Sequence, residues 1–173
     1  MKIINTKKKR LSDWFGLVEK TVEFENKKAV YHSIDVHDYV SIIAINKKNE
    51  ILLVEQYRPA VEKKTIELPG GIFKYPEDPK QIVIKELLEE TGYRINGEIK
   101  KLNCLDVDFG RLFNKAYCYF CNDISFDDKA NVEKGIKTIT HPQGNIESLI
   151  RSNKLTHAPH IAFILLAKLN GLF

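Results

Sequence analysis

Alternating apolar and polar residues mark the start of the chain as β-structure. Residues 18–24 alternate, residues 26–28 have the composition of a turn, and residues 29–36 alternate again. This pattern predicts a β-hairpin. We therefore expect residues 1–37 to form a small β-rich extension and residues 38–173 to form the main domain.

Nearly continuous apolar runs follow the extension. Residues 39–45 and 51–54 are apolar and flank the polar turn 46–49, which predicts two buried strands. A further short strand is expected at 64–68, ended by a turn at Pro69-Gly70-Gly71 where the backbone can approach a ligand. The rest of the chain predicts strands around 99–107, 115–121 and 136–139 and helices around 146–152 and 159–169.

This mixture of strands and helices indicates the fold class. Strands are mixed with helices and include two adjacent hairpin-like pairs, which favours an α/β fold, an α/β/α sandwich on a mixed sheet, over a parallel doubly wound sheet.

A helix with clear end signals is expected just after residue 78. Asp78 suits the N-cap, Pro79 the first helical position, and Gln81 can close a capping box. Gly92 suits the position after the helix ends.

Three carboxylates share one face of that helix. Glu86, Glu89 and Glu90 are spaced i, i+3 and i+4, while Ile84 and Leu88 lie nearly opposite, so the helix is apolar on more than one side. Such an acidic face is costly unless a cation neutralises it. Hard oxygen ligands suit a divalent cation, with a phosphate-bearing substrate completing its shell.

Composition narrows the class of protein. The 173 residues are 43% hydrophobic and 29% charged, which is ordinary for one globular core. The net charge of +4 can steer anionic small molecules but is too weak to indicate nucleic-acid binding. The basic cluster at 7–10 is not followed by an apolar segment, so export is not expected, and the apolar run 161–167 is too short to span a membrane.

The cysteines indicate a reducing compartment. There are three, an odd number without framework spacing, which favours the cytoplasm. Cys118 and Cys121 form a C-x-x-C string that could in principle bind metal or do redox chemistry. Because they lie in an aromatic-rich strand with a three-residue offset, we expect their side chains to pack on opposite faces of a sheet.

The segment from Gly71 to Tyr93 resembles the Nudix box. It has Gly, five residues, Glu77, seven residues, and then Lys85-Glu86-Leu87-Leu88-Glu89-Glu90-Thr91-Gly92-Tyr93, and each fixed position matches except Lys85, where the family has arginine. The flanks, Val54 to Pro59 and Thr65 to Gly71, resemble the branch of ADP-ribose pyrophosphatases and related nucleoside diphosphate sugar hydrolases.

The resemblance implies a function. We expect hydrolysis of the pyrophosphate bond of a nucleoside diphosphate derivative with Mg²⁺ or Mn²⁺, and ADP-ribose, giving AMP and ribose 5-phosphate, is the leading candidate. Sugar nucleotides, dinucleotides and a non-catalytic nucleotide-sensing role are the alternatives. The proline that ADP-ribose-preferring members carry about sixteen residues after the box is missing here. Members of this branch are typically homodimers in which such extensions help to build the active sites; no nucleic-acid or membrane partner is expected.

The resemblance also implies roles for individual residues. The metal ligands are expected to be Glu86, Glu89, Glu90 and the carbonyl of Gly70. Glu77 and Glu89 are also expected to be catalytic residues, and the expected role of Glu77 is to orient the box. Arg58 and Arg111 are candidates for substrate binding, since a planar guanidinium can donate two hydrogen bonds to phosphate oxygens; ordinary surface positions are the alternative. Glu67 is the third candidate for substrate binding.

The general base is expected in a loop after the box. Asp127, Asp128 and Glu133 lie there, and Glu133 is favoured; a box carboxylate is the alternative.

Other side chains have two interpretations. Trp14, Phe15 and Tyr39 can stack on a base or pack in a core. For His157 and His160 we expect capping or packing, because no partner cluster has zinc spacing.

Overall fold

The computed structural model describes all 173 residues. The strands are β1 Lys2–Arg10, β2 Phe15–Phe24, β3 Lys27–Val36, β4 Asp38–Asn46, β5 Glu50–Arg58, β6 Lys63–Glu67, β7 Gly70–Phe73, β8 Tyr93–Ile95, β9 Lys100–Asp106, β10 Lys115–Phe126 and β11 Lys137–Pro142. The helices are α1 Pro79–Thr91, α2 Ile146–Arg151 and α3 Ala158–Leu169. No helix is both long enough and apolar enough to cross a lipid bilayer.

The first three strands form an antiparallel sheet of their own, in the order β1-β2-β3. The predicted hairpin is confirmed as β2 and β3, joined by Glu25 and Asn26, which both have positive φ as a tight hairpin turn requires. Strand β1 was not expected. Each of its residues is exposed, so its lysines show no buried face from which a strand could be recognised.

The other eight strands form one mixed sheet between two layers of helix. Strands β4 and β10 run parallel in its centre, and the remaining pairs are antiparallel. Val83 and Leu87 of α1 pack on one face, and Phe163 and Ile164 of α3 pack on the other. The expected α/β/α sandwich on a mixed sheet is therefore confirmed.

The two cysteines of the C-x-x-C string lie on opposite faces of this sheet, as expected. Cys118 belongs to the core under α3 and Cys121 to the core under α1. Both are buried free thiols that pack as small apolar side chains.

Helix α1 begins and ends where its sequence predicts. The Asp78 carboxylate accepts a hydrogen bond from the Lys80 N–H (3.0 Å), and Gly92 ends the helix at φ +75°. The capping box does not form, because the side chain of Gln81 makes no hydrogen bond. The buried face also differs from the expectation: Val83, Leu87, Glu90 and Thr91 are buried, whereas Ile84 and Leu88 are only partly covered.

The expected turn at Pro69-Gly70-Gly71 is shorter than predicted. Strand β7 already begins at Gly70 and pairs with β4, with Gly70 opposite Ser41. A Cβ on Gly70 would lie 2.0 Å from the carbonyl oxygen of Val40, so this close pairing requires glycine. Strand β7 also lies against α1.

Candidate active site

A cavity of about 890 Å³ opens where β4, β6 and β7 meet α1 and the start of α3. We call it the main cavity. It brings together side chains that are far apart in the sequence, among them Trp14, Tyr39, Arg58, Glu67, Glu86, Glu90, Glu133, His157 and His160.

Glu90 is the most buried of the box carboxylates. It is 4% exposed, and one of its oxygens accepts a hydrogen bond from the Gly70 N–H (2.8 Å). Burial raises the pKa of Glu90 to about 8; the Gly70 hydrogen bond opposes this rise and the nearby Glu86 adds to it. In the absence of a cation, the charged form of this carboxylate is therefore disfavoured.

Glu86 lies against Gly71 on the same side of the main cavity. A Cβ on Gly71 would come within 2.5 Å of the Glu86 carboxyl carbon, so the glycine leaves room for the carboxylate. Burial raises the pKa of Glu86; Lys85 opposes this effect, while Glu89 and Glu133 add to it.

These donors fit a hard divalent cation. Carboxylate and carbonyl oxygens are the ligands that Mg²⁺ and Mn²⁺ prefer. However, no three His, Cys, Asp or Glu side chains lie close enough together to hold an ion by themselves. Glu86 and Glu90 face the main cavity as a pair, so the remaining ligands would come from backbone, water or substrate oxygens.

Three predicted residues lie outside the main cavity, namely Glu77, Glu89 and Arg111. Glu89 pairs with Lys85 one helical turn earlier (Nζ to Oε2, 3.5 Å). Glu77 accepts a hydrogen bond from the Lys74 N–H (2.8 Å), and its carboxylate orders the loop that leads into α1. The position of Glu77 fits an orienting role.

Arg58 and Glu67 form a two-point ion pair in the wall of the main cavity. The Nε and Nη2 atoms of Arg58 donate to the two oxygens of Glu67 at 2.8 and 2.7 Å, and the Thr65 hydroxyl donates to Glu67 at 2.6 Å. Burial opposes the ionisation of Glu67, yet the hydrogen bonds from Arg58 and Thr65 outweigh it and lower the pKa to about 2. Glu67 therefore holds the Arg58 guanidinium in one plane.

His160 anchors the start of α3 behind the main cavity. Its Nδ1 accepts from the Leu68 N–H (3.1 Å), which leaves the proton on Nε2 to donate to the Ser41 hydroxyl (3.1 Å). Burial lowers the pKa of His160 to about 3, and the neighbouring His157 contributes. These contacts agree with the packing role expected for this histidine.

Glu133 and Arg111 have different positions relative to the main cavity. Glu133 lies in its wall, and its N–H donates to the Glu89 carbonyl (2.8 Å), which ties its loop to the end of α1. Arg111 is not in the wall. It lies over the ring of Tyr31 in the first sheet, 5.1 Å from the ring centroid, and donates to the Gly110 carbonyl.

Sequence reasoning missed two contributors to the site. Thr65 supports Glu67 from two positions earlier on β6; that spacing places both on one face of the strand and could have revealed the pair. Ser41, the partner of His160, has no such signal, because the two are 119 residues apart.

Comparison with known proteins identifies the family. The NUDIX domain model matches residues 35–139. The chain is similar to a methanol dehydrogenase activator from Bacillus methanolicus (48% identical over 54 residues, 31% of this chain and 29% of that protein). It is also similar to an ADP-ribose pyrophosphatase from Bacillus subtilis strain 168 (35% identical over 78 residues, 44% and 42%). A GDP-mannose pyrophosphatase from Shigella flexneri is 30% identical over 144 residues (76% of this chain and 74% of that protein).

Solved structures agree on the fold. A crystal structure of an ADP compounds hydrolase superposes with a TM-score of 0.82, covering 96% of this chain and 91% of that one, at 17% identity. The matched segments span less than half the length of the first two relatives, 29% and 42%. Since the domain model covers over half of the chain and includes the four carboxylates in the wall of the main cavity, this protein belongs to the Nudix family.

Proposed function

We propose that this protein is a hydrolase that cleaves the pyrophosphate bond of nucleoside diphosphate derivatives with the help of Mg²⁺ or Mn²⁺. The observation that carries the proposal is the pair Glu86 and Glu90, which faces a cavity of about 890 Å³. That volume lies within the range of small-molecule sites, roughly 300–1,000 Å³.

The charges of the main cavity support the need for a cation. Its wall contains four carboxylates, on Glu67, Glu86, Glu90 and Glu133, against the two cationic side chains of Arg58 and Lys63. Because Arg58 is already paired with Glu67, a diphosphate would meet net repulsion from the remaining acids. Glu86, Glu90 and the Gly70 carbonyl would hold a divalent cation, whose positive charge would offset that repulsion.

The cation, Glu133 and Arg58 would then have separate roles in the reaction. A bound divalent cation supplies charge neutralisation of the diphosphate and lowers the pKa of a water nucleophile. Glu133 is our candidate to accept the proton of that water, with a box carboxylate as the alternative. Arg58, which keeps three of its five N–H groups outside the Glu67 pair, is our candidate to bind a phosphate oxygen.

ADP-ribose is the leading candidate substrate, with AMP and ribose 5-phosphate as products. The similarity to an ADP-ribose pyrophosphatase supports it. GDP-mannose is the second candidate, because the similarity to a GDP-mannose pyrophosphatase extends over more of the chain.

Purified protein should be incubated with each compound in Mg²⁺, Mn²⁺ or EDTA, and the products identified by mass. We expect metal-dependent cleavage that Glu90→Gln and Glu133→Gln reduce at least a hundredfold. The matched control is Glu98→Gln, since Glu98 is exposed and makes only a 3.9 Å contact with Lys100. Binding of nucleotide without turnover of any compound would instead favour a sensing role and would contradict the proposal.

We also propose a cytoplasmic homodimer. The first sheet exposes several apolar side chains, including Ile3, Phe24 and Val30. Exposed apolar groups on one small sheet favour contact with a second copy. Light scattering after size-exclusion chromatography should give twice the 20.0 kDa chain mass; a monomer at micromolar concentration would rule this out.

A further inference from the structure

A second, smaller pocket lies beside the main cavity. It has a volume of about 380 Å³ and is lined by eight residues, of which one is hydrophobic. Lys63, Lys64 and Lys154 line it, together with a single acidic side chain, that of Glu55. We call it the lysine pocket.

The two spaces share a wall. Lys63, Thr65, Ile66 and Thr156 line both of them. The lysine pocket is therefore adjacent to the main cavity, within reach of a ligand that extends from the main cavity along β6.

Two of the three lysines have no acidic partner. Lys64 pairs with Glu55 at 3.6 Å, which neutralises both. Neither Lys63 nor Lys154 makes an ion pair anywhere in the structure, so the lysine pocket keeps two uncompensated positive charges. The main cavity has the opposite balance, because carboxylates predominate in its wall.

The backbone that carries Lys154 is well fixed. The N–H groups of Lys154 and Leu155 both donate to the Leu149 carbonyl, at 2.9 and 3.0 Å, and the Leu155 side chain is fully buried. Lys63 lies in the β5–β6 hairpin, opposite Arg58 in the strand register. The backbone segments that carry Lys63 and Lys154 are thus fixed on two sides of one opening.

We propose that the lysine pocket is a subsite for a phosphomonoester. This rests on the proposed function and sharpens its substrate class. A nucleoside diphosphate derivative that also bears a phosphomonoester should therefore bind more tightly than the same compound without it, with the diphosphate beside Glu86 and Glu90 and the phosphomonoester between Lys63 and Lys154. Lysine suits this task, because its ammonium is a point charge that tolerates several phosphate orientations.

Direct binding tests the subsite without any turnover. Inorganic phosphate is titrated in EDTA and followed by ³¹P NMR with wild type, Lys154→Gln and the control Lys47→Gln, whose lysine lies exposed in the β4–β5 turn. We expect Lys154→Gln to weaken binding about fivefold, the size of one unit-charge contact at 4 Å in water, and Lys47→Gln to leave it unchanged. Equal binding by all three proteins would overturn the subsite.

Turnover of matched pairs of compounds shows whether the lysine pocket binds a phosphate group of the substrate or free inorganic phosphate. NADP⁺ against NAD⁺, and coenzyme A against its 3′-dephospho form, each differ by one phosphomonoester. We expect kcat/KM to be at least fivefold higher for the phosphorylated member, mainly through KM, and Lys154→Gln to bring the ratio toward one. If the wild-type protein binds inorganic phosphate at Lys154 and yet shows equal kcat/KM for the two members of each pair, the lysine pocket is a site for free phosphate. That result would overturn the substrate preference. If none of these four compounds is cleaved, the assay with ADP-ribose and GDP-mannose still decides the proposed function, and the phosphate titration still decides whether the lysine pocket takes phosphate.

Discussion

His160 allows the contribution of two buried hydrogen bonds to be measured. Its ring accepts from the Leu68 N–H and donates to the Ser41 hydroxyl, and it is 3% exposed. His160→Phe keeps a ring of similar size but leaves both partners buried and unpaired. Because each unpaired buried group costs about 1–3 kcal/mol, we expect a loss of about 2–6 kcal/mol in the free energy of unfolding at pH 7.

The same residue predicts an acid sensitivity. The pKa of His160 falls from its ordinary value of 6.5 to about 3 in the folded chain. Between these values the unfolded chain binds a proton that the folded chain does not, so stability is lost as the pH falls below 6.5. A pH of 5 is about 1.5 units below the unfolded pKa of 6.5, which corresponds to a loss of about 2 kcal/mol in the free energy of unfolding.

Urea denaturation at pH 7 and pH 5, in EDTA, measures both effects. His160→Gln removes the titration while keeping polar atoms, so its free energy of unfolding should fall about 2 kcal/mol less than that of wild type between these pH values. Other groups titrate in both proteins and cancel in this comparison. If His160→Gln and wild type lose the same free energy, the histidine is not held neutral and the reasoning is wrong.

Three further substitutions test α1 and its surroundings. Gly71→Ala would place a Cβ 2.5 Å from the Glu86 carboxyl carbon. Because the carboxyl end of the Glu86 side chain can move, we expect the protein to fold but its Mn²⁺ affinity to drop at least tenfold. Electron paramagnetic resonance measures this affinity, and an unchanged value would contradict the prediction. Leu87→Ala empties a fully buried position and should cost about 2–5 kcal/mol in urea denaturation, whereas a loss below about 1 kcal/mol would show that the core collapses around the gap. Lys85→Arg supplies a planar fork to Glu89, which Lys85 contacts at 3.5 Å, and should raise both Mn²⁺ affinity and turnover; no change in either would refute it.

The sequence predicted those parts of the fold that depend on local chemistry. The ends of α1 were predictable from Asp78 and Gly92, because an N-cap carboxylate and a left-handed C-terminal residue satisfy backbone groups within a few positions. The opposite faces of Cys118 and Cys121 followed from the two-residue period of a strand.

Other features depend on contacts that no local pattern encodes. Strand β1 exists because its backbone pairs with β2, so its lysine-rich sequence has no apolar face to reveal it. The pairing of Arg58 with Glu67 and the contacts of His160 join segments that meet only after folding. In the box, spacing placed three glutamates on one helix, but the packing of α1 against β7 decides that Glu86 and Glu90 face the main cavity while Glu89 does not.

Trp14 has a consequence for how this protein could diversify. It lies in the turn between β1 and β2, yet it forms part of the wall of the main cavity. One end of the ligand site is thus contributed by a sheet that carries none of the carboxylates of α1. A chimera that exchanges residues 1–37 for those of a relative would therefore change this part of the wall while Glu86 and Glu90 of α1 stay in place, so part of the lining of the main cavity can vary independently of its carboxylates.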